Sequence, residues 1–274
     1  MNKSLSKLSN ILFLIILMAT IPALSSPAMQ GANDPGELTF NDSNPERLSL
    51  LVEYFESKGL DIKDLLQDPR FEVYDGIGDR FKNAVEFKSG SLEEYKKVLG
   101  YNDKVTRIPE FLNTYSATLT KAEEEYGIPR FVIAAIIGVE SSYGRVVGKY
   151  NPFNAYVSMY SEDYRASFAR AQLEELLIFA QNNELDILEM KSSYAGAMAF
   201  AQFIPYSLNR WFVGKDIYNM ENNILSVANY LAHFKNITGS IEKAVYRYNP
   251  SEMYTRAVLA LAQEAEELLA DASR

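Results

Sequence analysis

Apolar positions along this chain recur at the three- and four-residue spacing of amphipathic helices. No alternating run is long enough to demand a large sheet. Leu48, Leu51, Val52 and Phe55 make one stripe, opened by Asn44 and Pro45 and stopped by Gly59. Residues 61–66 suit a short second helix, whereas 71–88 are irregular, with the turn cluster Asp75-Gly76-Ile77-Gly78-Asp79. Ser91 with Glu94 is a capping box that opens a helix to Leu99. Residues 108–126 read as one long helix, with Phe111, Tyr115, Leu119 and Ala122 on one face and Gly127 at its end. Pro129 starts the next helix at its first turn. Further helices are predicted over 163–182, 196–204, 207–212, 221–234 and 252–269. The pattern predicts a mainly α chain with little or no sheet, without repeats or low-complexity segments.

The helix after Pro129 carries the most informative position. An apolar run over 131–139 ends at Glu140, which Ser141, Ser142, Tyr143 and Gly144 follow at once. Ile133, Ile136 and Ile137 lie seven, four and three residues before Glu140 and share its face. A carboxyl seated there is costly to ionise, which is how a general acid keeps its proton near neutral pH. The plain alternative is a helix-terminal Glu pointing to solvent. Gly138 costs helix stability and would admit a close approach by another backbone or a substrate.

Composition narrows the chemistry. The chain has no Cys and one His, His233. That removes thiol nucleophiles, disulfides and Cys or multi-His zinc sites. His233 sits in a helix-like stretch without a nearby Ser elbow, so it reads as structural or surface. Catalysis, if present, should rest on carboxylates, hydroxyls and amides, with no cofactor. Residues 1–28 read as a secretory signal: Lys3 and Lys7, then an apolar core over 11–19 too short for a convincing span. The expectation is an exported protein, periplasmic or secreted, with no stable membrane insertion after cleavage. Without that segment the net charge is −11. No basic patch emerges, which argues against nucleic acid. Residues 29–42 look like a linker, 43–126 an N-terminal helical subdomain, and 127–274 a core with a C-terminal helix.

Three further segments look chemically purposeful. Small residues crowd Ala195, Gly196, Ala197, Ala199 and Ala201, with Met198 and Gln202 four apart. Tyr246-Arg247-Tyr248-Asn249-Pro250 is the second, and Tyr143-Gly144-Arg145 the third. Glu140-Ser141-Ser142-Tyr143-Gly144, then Gly196-Ala197-Met198, then Gln202-Phe203-Ile204-Pro205, then Tyr248-Asn249, in that order, resemble the lytic transglycosylases of the lysozyme-like superfamily. Ile136-Ile137-Gly138-Val139, Gly144-Arg145-Val146-Val147-Gly148-Lys149 and Ser226-Val227-Ala228-Asn229-Tyr230 are similar to the membrane-bound lytic transglycosylase B branch. The likeness runs from about residue 46 to 270.

The resemblance implies a lysozyme-like multi-helix fold with a substrate cleft, and peptidoglycan glycan strands as partner. It implies cleavage of the MurNAc-β-1,4-GlcNAc bond with 1,6-anhydroMurNAc ends, Glu140 acting first as acid and then as base. It places Ser193, Met198, Gln202, Phe203, Tyr248 and Asn249 at the substrate. All but Asn249 have a plainer reading: an N-cap for Ser193, core packing for Met198, Gln202 and Phe203, and a turn before Pro250 for Tyr248. Tyr248 is a candidate to bond Glu140 or a sugar, the Gln202 amide to hold an N-acetyl carbonyl. Tyr143 and Arg145 read as structural supports. The chain departs from the family in lacking the lipoprotein Cys. Residues 211–218 carry one acid, too few for the family's calcium loop, so no metal is expected. Ala199 and Ala201 stand where glycines are common, which is tolerated unless the backbone there has positive φ. The alternatives are a lysozyme-type muramidase, with Glu162 or Asp163 as water-activating base, and a non-catalytic peptidoglycan-binding protein.

Overall fold

The structure, a computed structural model, describes residues 44–82 and 90–272. The expected signal and linker lie outside them. Thirteen helices are described: α1 (Pro45–Glu56), α2 (Lys63–Gln67), α3 (Ile77–Lys82), α4 (Leu92–Leu99), α5 (Tyr101–Thr114), α6 (Ser116–Tyr126) and α7 (Arg130–Ser141), then α8 (Pro152–Ser161), α9 (Ala166–Asn182), α10 (Pro205–Trp211), α11 (Met220–Thr238), α12 (Ile241–Tyr248) and α13 (Glu252–Ala272). Only isolated β-bridges join them among the described residues.

Local signals work where expected. Ser91 Oγ accepts from Glu94 N–H at 3.2 Å and opens α4. Pro129 is the N-cap of α7, and Gly127 closes α6 in left-handed geometry.

Two predicted helices differ. The single helix over 108–126 is two, meeting at Tyr115 with φ −106° and ψ 23°. The bend sets the Phe111 ring 4.9 Å from Tyr115 and 5.1 Å from Tyr143. α5 also begins earlier than the stripe suggests, because inward-facing Lys104 interrupts it. The predicted helix over 196–204 is a compact loop, with antiparallel bridges pairing Met198 with Ser192 and Phe203. Positive φ at Ala199 (63°) and Gln202 (52°) is incompatible with a helix. Met198 and Gln202 are therefore not neighbours on a helical face. Three helices lie outside the sequence reading. α3 starts within the Asp75–Asp79 turn cluster, in the stretch expected to be irregular, α8 is buried all round and shows no stripe, and α12 is only eight residues long.

One apolar core runs from Leu48 to Ala265, continuous across residues 126 and 127. α7 is its central helix, packed against α5, α6, α11 and α13. Ile133, Ile136 and Ile137 are fully buried, each worth roughly 2 kcal/mol relative to exposure. The helix that carries Glu140 is thus held on several sides.

Candidate active site

Glu140 is the penultimate residue of α7 and only 3% exposed, so the solvent-facing alternative does not apply. Its Oε1 accepts a hydrogen bond from Tyr254 Oη at 2.8 Å. Tyr254 is fully buried on α13. Burial, and after it the Glu140 charge, holds the phenol well above its ordinary range. Tyr254 therefore stays an O–H donor toward the carboxyl throughout the neutral range.

Tyr248 is also buried and also pushed well up, first by burial and then by Glu140. Its Oη donates elsewhere, to Ala201 O at 2.6 Å. The phenol that bonds Glu140 is thus Tyr254. Its one sequence signal is its place five residues after Asn249, at the start of α13.

The chain leaves α7 through two left-handed residues, Ser142 (φ 50°) and Tyr143 (φ 61°). Ser141 Oγ donates to Ile137 O at 3.1 Å and accepts from Gly144 N–H at 3.0 Å, tying the exit to the last turn. The Tyr143 ring folds back over Gly138, where an added Cβ would fall 2.5 Å from Tyr143 Cζ. The close approach that Gly138 admits is thus made by the protein's own ring. Tyr143 Oη donates to Lys104 O at 2.9 Å, and Lys104 Nζ donates to Ser142 Oγ at 3.0 Å. Lys104 is 5% exposed, and burial holds its ammonium down to about 8, against the opposing pull of Asp103 and Glu140.

The loop over 193–204 is anchored where Tyr150 and Ser192 exchange backbone hydrogen bonds of 3.1 and 2.7 Å. This needs Gly148, since a Cβ there would lie 1.7 Å from Ser192 O. Ser193 is buried, and its Oγ accepts from Ala197 N–H at 3.2 Å within the loop rather than capping a helix. Met198 is fully buried and bonds Phe203 through the backbone at 2.9 and 3.0 Å. Phe203 takes a packing position, its ring 5.5 Å from Tyr248 and 5.8 Å from Tyr230.

Gln202 is fully buried; its Nε2 donates to Ala199 O at 2.8 Å, while Oε1 has no partner among the described residues. One of the two N–H donors of the Gln202 amide is thus engaged within the loop. Asn249, 2% exposed, likewise leaves Nδ2 without an acceptor. Such buried polar atoms are uncommon and call for an explanation.

The acids considered as water-activating bases are committed elsewhere. Glu162 accepts from Ile77 N–H at 3.1 Å and Gly78 N–H at 2.8 Å, at the start of α3. Asp163 pairs with Arg47 at 2.8 Å. His233 is exposed and rests against Trp211, ring centroids 5.4 Å apart.

Residues 58–240 match the family described as Transglycosylase SLT domain. The chain belongs to that family. Its members' likeness to this chain extends to "Membrane-bound lytic murein transglycosylase B" of Escherichia coli (strain K12), 34% identical over 149 residues. That match covers 52% of this chain and 41% of the relative, so the chain spans less than half of the relative's length. Among solved structures, soluble lytic transglycosylase SltB1 of Pseudomonas aeruginosa superimposes with a TM-score of 0.73 at 24% identity, over 82% of this chain and all of that one. Escherichia coli SLT35 in complex with calcium gives 0.71 at 23%, over 82% and 94%. SltB3 of Pseudomonas aeruginosa in complex with NAG-NAM-pentapeptide gives 0.70 at 18%, over 82% and 80%. The fold is therefore mainly α and of the lysozyme-like kind, with almost no strand among the described residues.

Between α10 and α11 the one acid is Asp216, and its carboxylate accepts from Tyr218 N–H at 2.8 Å. Among the described residues, no group of three or more His, Cys, Asp and Glu is arranged to hold a metal.

Proposed function

We propose that the protein is a peptidoglycan lytic transglycosylase that cleaves the MurNAc-β-1,4-GlcNAc bond and leaves 1,6-anhydroMurNAc ends. One observation carries the reading: a buried carboxyl, Glu140, sits at the end of a fixed helix with a neutral phenol donating to it at 2.8 Å. The family assignment and the murein transglycosylase relative support the substrate class.

In this reading Glu140 begins protonated and gives its proton to the glycosidic oxygen as the bond to C1 breaks. The resulting carboxylate is stabilised by the Tyr254 O–H. It then takes the proton of the C6 hydroxyl as that oxygen bonds to C1. No water is consumed, and the carboxyl is restored to its starting form. The substrate's acetamido group helps at C1, a known exception to the two-carboxylate rule.

Gln202 Oε1 and Asn249 Nδ2 supply the polar complement of an acetamido group, an acceptor for its N–H and a donor for its carbonyl. Ser193 and Met198 shape the loop that presents Gln202, while Phe203 and Tyr248 support it from behind. No cofactor has a role. The export segment read over residues 1–28 puts its action outside the cytoplasm, in the periplasm or beyond the cell; no helix of the described residues is long and apolar enough to cross a membrane.

Digestion of purified sacculi with mass spectrometry of the products tests the reading. Muropeptides lighter by one water are expected, whereas ordinary reducing ends would establish a muramidase instead. The commitments of Glu162 and Asp163 argue against that second outcome. Glu140→Gln keeps the shape and removes the transferable proton, so turnover should fall at least ~10²-fold. Equal cleavage by wild type and variant would sink the assignment, and binding without cleavage by both would leave a binding protein.

A further inference from the structure

Lys104 is not explained by stability. Its side chain lies in the core on α5, whereas the other lysines whose burial is described are exposed or half-buried. An ammonium carries three donors, yet the one acceptor it meets among the described residues is the neutral hydroxyl of Ser142, at 3.0 Å. A buried cation without a directly bonded carboxylate is a burden on the fold. Its placement is nevertheless tightly defined. The Lys104 carbonyl accepts from Tyr143 Oη at 2.9 Å, so backbone and side chain both grip the segment just after Glu140.

The charges around it narrow the role. On α5 itself, Asp103 is occupied by Arg107 at 2.7 Å, and Arg145, beyond α7, also acts on Asp103. On α4 and α13, Lys96 and Glu264 face each other at 4.0 Å, and Glu264 also accepts from Tyr101 Oη at 2.9 Å. Tyr143 and Tyr254 are neutral phenols. From α7 the charge that acts on Lys104 is that of Glu140.

We infer that Lys104 is a positioning residue for Glu140: its buried ammonium holds the exit of α7 through Ser142 and stabilises the carboxylate that Glu140 becomes once it has given up its proton. This rests on Glu140 acting as acid and then as base. The cation is most useful in the middle of the reaction, when the site carries a full negative charge away from water. Tyr254 approaches the same carboxyl from α13, so two helices distant in sequence share the task.

The test replaces Lys104 by Met, which keeps length without charge, by Gln as a second neutral variant, and by Arg, which restores charge. Two readouts are needed: the titration of the Glu140 carboxyl by ¹³C NMR, and kcat and KM on sacculi. Loss of a nearby cation raises a carboxyl midpoint. In Lys104→Met and Lys104→Gln the Glu140 midpoint should rise by about one pH unit, and kcat should fall about tenfold with KM nearly unchanged. Lys104→Arg should return the midpoint toward wild type. An unmoved midpoint in both neutral variants, or a loss of activity seen only in KM, would overturn the inference and leave Lys104 a packing residue. A wild-type protein that releases no anhydro ends would instead overturn the proposed function, and the NMR titration would still decide whether Lys104 stabilises the charge.

Discussion

Gly138→Ala offers a test of how the end of α7 is built. An added Cβ would sit 2.5 Å from Tyr143 Cζ, 2.6 Å from Oη and 2.7 Å from Cε1. Comfortable carbon contacts begin near ~3.5 Å, so the ring must retreat by about 1 Å. That retreat strains the 2.9 Å hydrogen bond from Tyr143 Oη to Lys104 O. Overpacking costs about 1–3 kcal/mol and the lost hydrogen bond about 1 kcal/mol. Against this, Ala is better than Gly inside a helix by about 1 kcal/mol. The net expectation is a destabilisation of about 1–3 kcal/mol, read as a lower urea midpoint with unchanged slope. The decisive comparison is made in a Tyr143→Ala background, where the ring is gone and only the helix preference remains. There Gly138→Ala should stabilise by up to about 1 kcal/mol. A substitution that stabilises both backgrounds, or weakens both equally, would refute the view that the Tyr143 ring imposes glycine at this position.

Three other outcomes follow from the geometry. Tyr254→Phe removes the phenol that donates to Glu140 Oε1; a hydrogen bond to a charged group is worth about 1.5–3 kcal/mol, so kcat on sacculi should fall about 10- to 150-fold, and an unchanged kcat would exclude Tyr254 from the site. Ala199→Gly relieves a non-glycine residue at φ 63°. It should stabilise by about 1 kcal/mol in thermal unfolding, whereas a destabilised variant would show that this backbone angle is not strained. Lys104 sits at about 8 in the fold against 10.5 as the ordinary value, so the folded chain holds fewer protons between those limits. Its burial penalty is thus full below pH 8 and fades as pH rises toward 10.5. Lys104→Met should therefore be more stable than wild type at pH 7, by about 1–3 kcal/mol. That advantage should shrink by pH 10 in paired urea titrations, and one independent of pH would contradict the assignment.

The parts of this protein legible in its sequence are those encoded within a turn or two of helix. The apolar run before Glu140, the Ser91 cap and the stops at Gly127 and Gly59 all act through neighbours. What stayed hidden is non-local or lies in the backbone. Tyr254 meets Glu140 across 114 residues and Lys104 meets Ser142 across 38, and no periodicity reports such pairs. Lys104 also disguised its own helix, since a polar residue in an inward position reads as a break. The loop over 193–204 misled for a different reason. Its alanines are good helix formers, but here their smallness serves tight turns, and left-handed angles at Ala199 and Gln202 leave no mark in residue type. The roles of Glu162 and Asp163 depend on α3 and α1, elements that their own neighbours do not specify.

The bond between α7 and α13 also bears on when the protein becomes competent. Glu140 is made early, but the phenol that steadies it arrives on the final described helix. A nascent or clipped chain that lacks α13 holds a carboxyl whose surroundings are unfinished. Joining the two requires closing a long loop, a late step in folding for entropic reasons. The Glu140–Tyr254 pair is therefore completed only once α13 has packed against α7, after the rest of the described fold has formed.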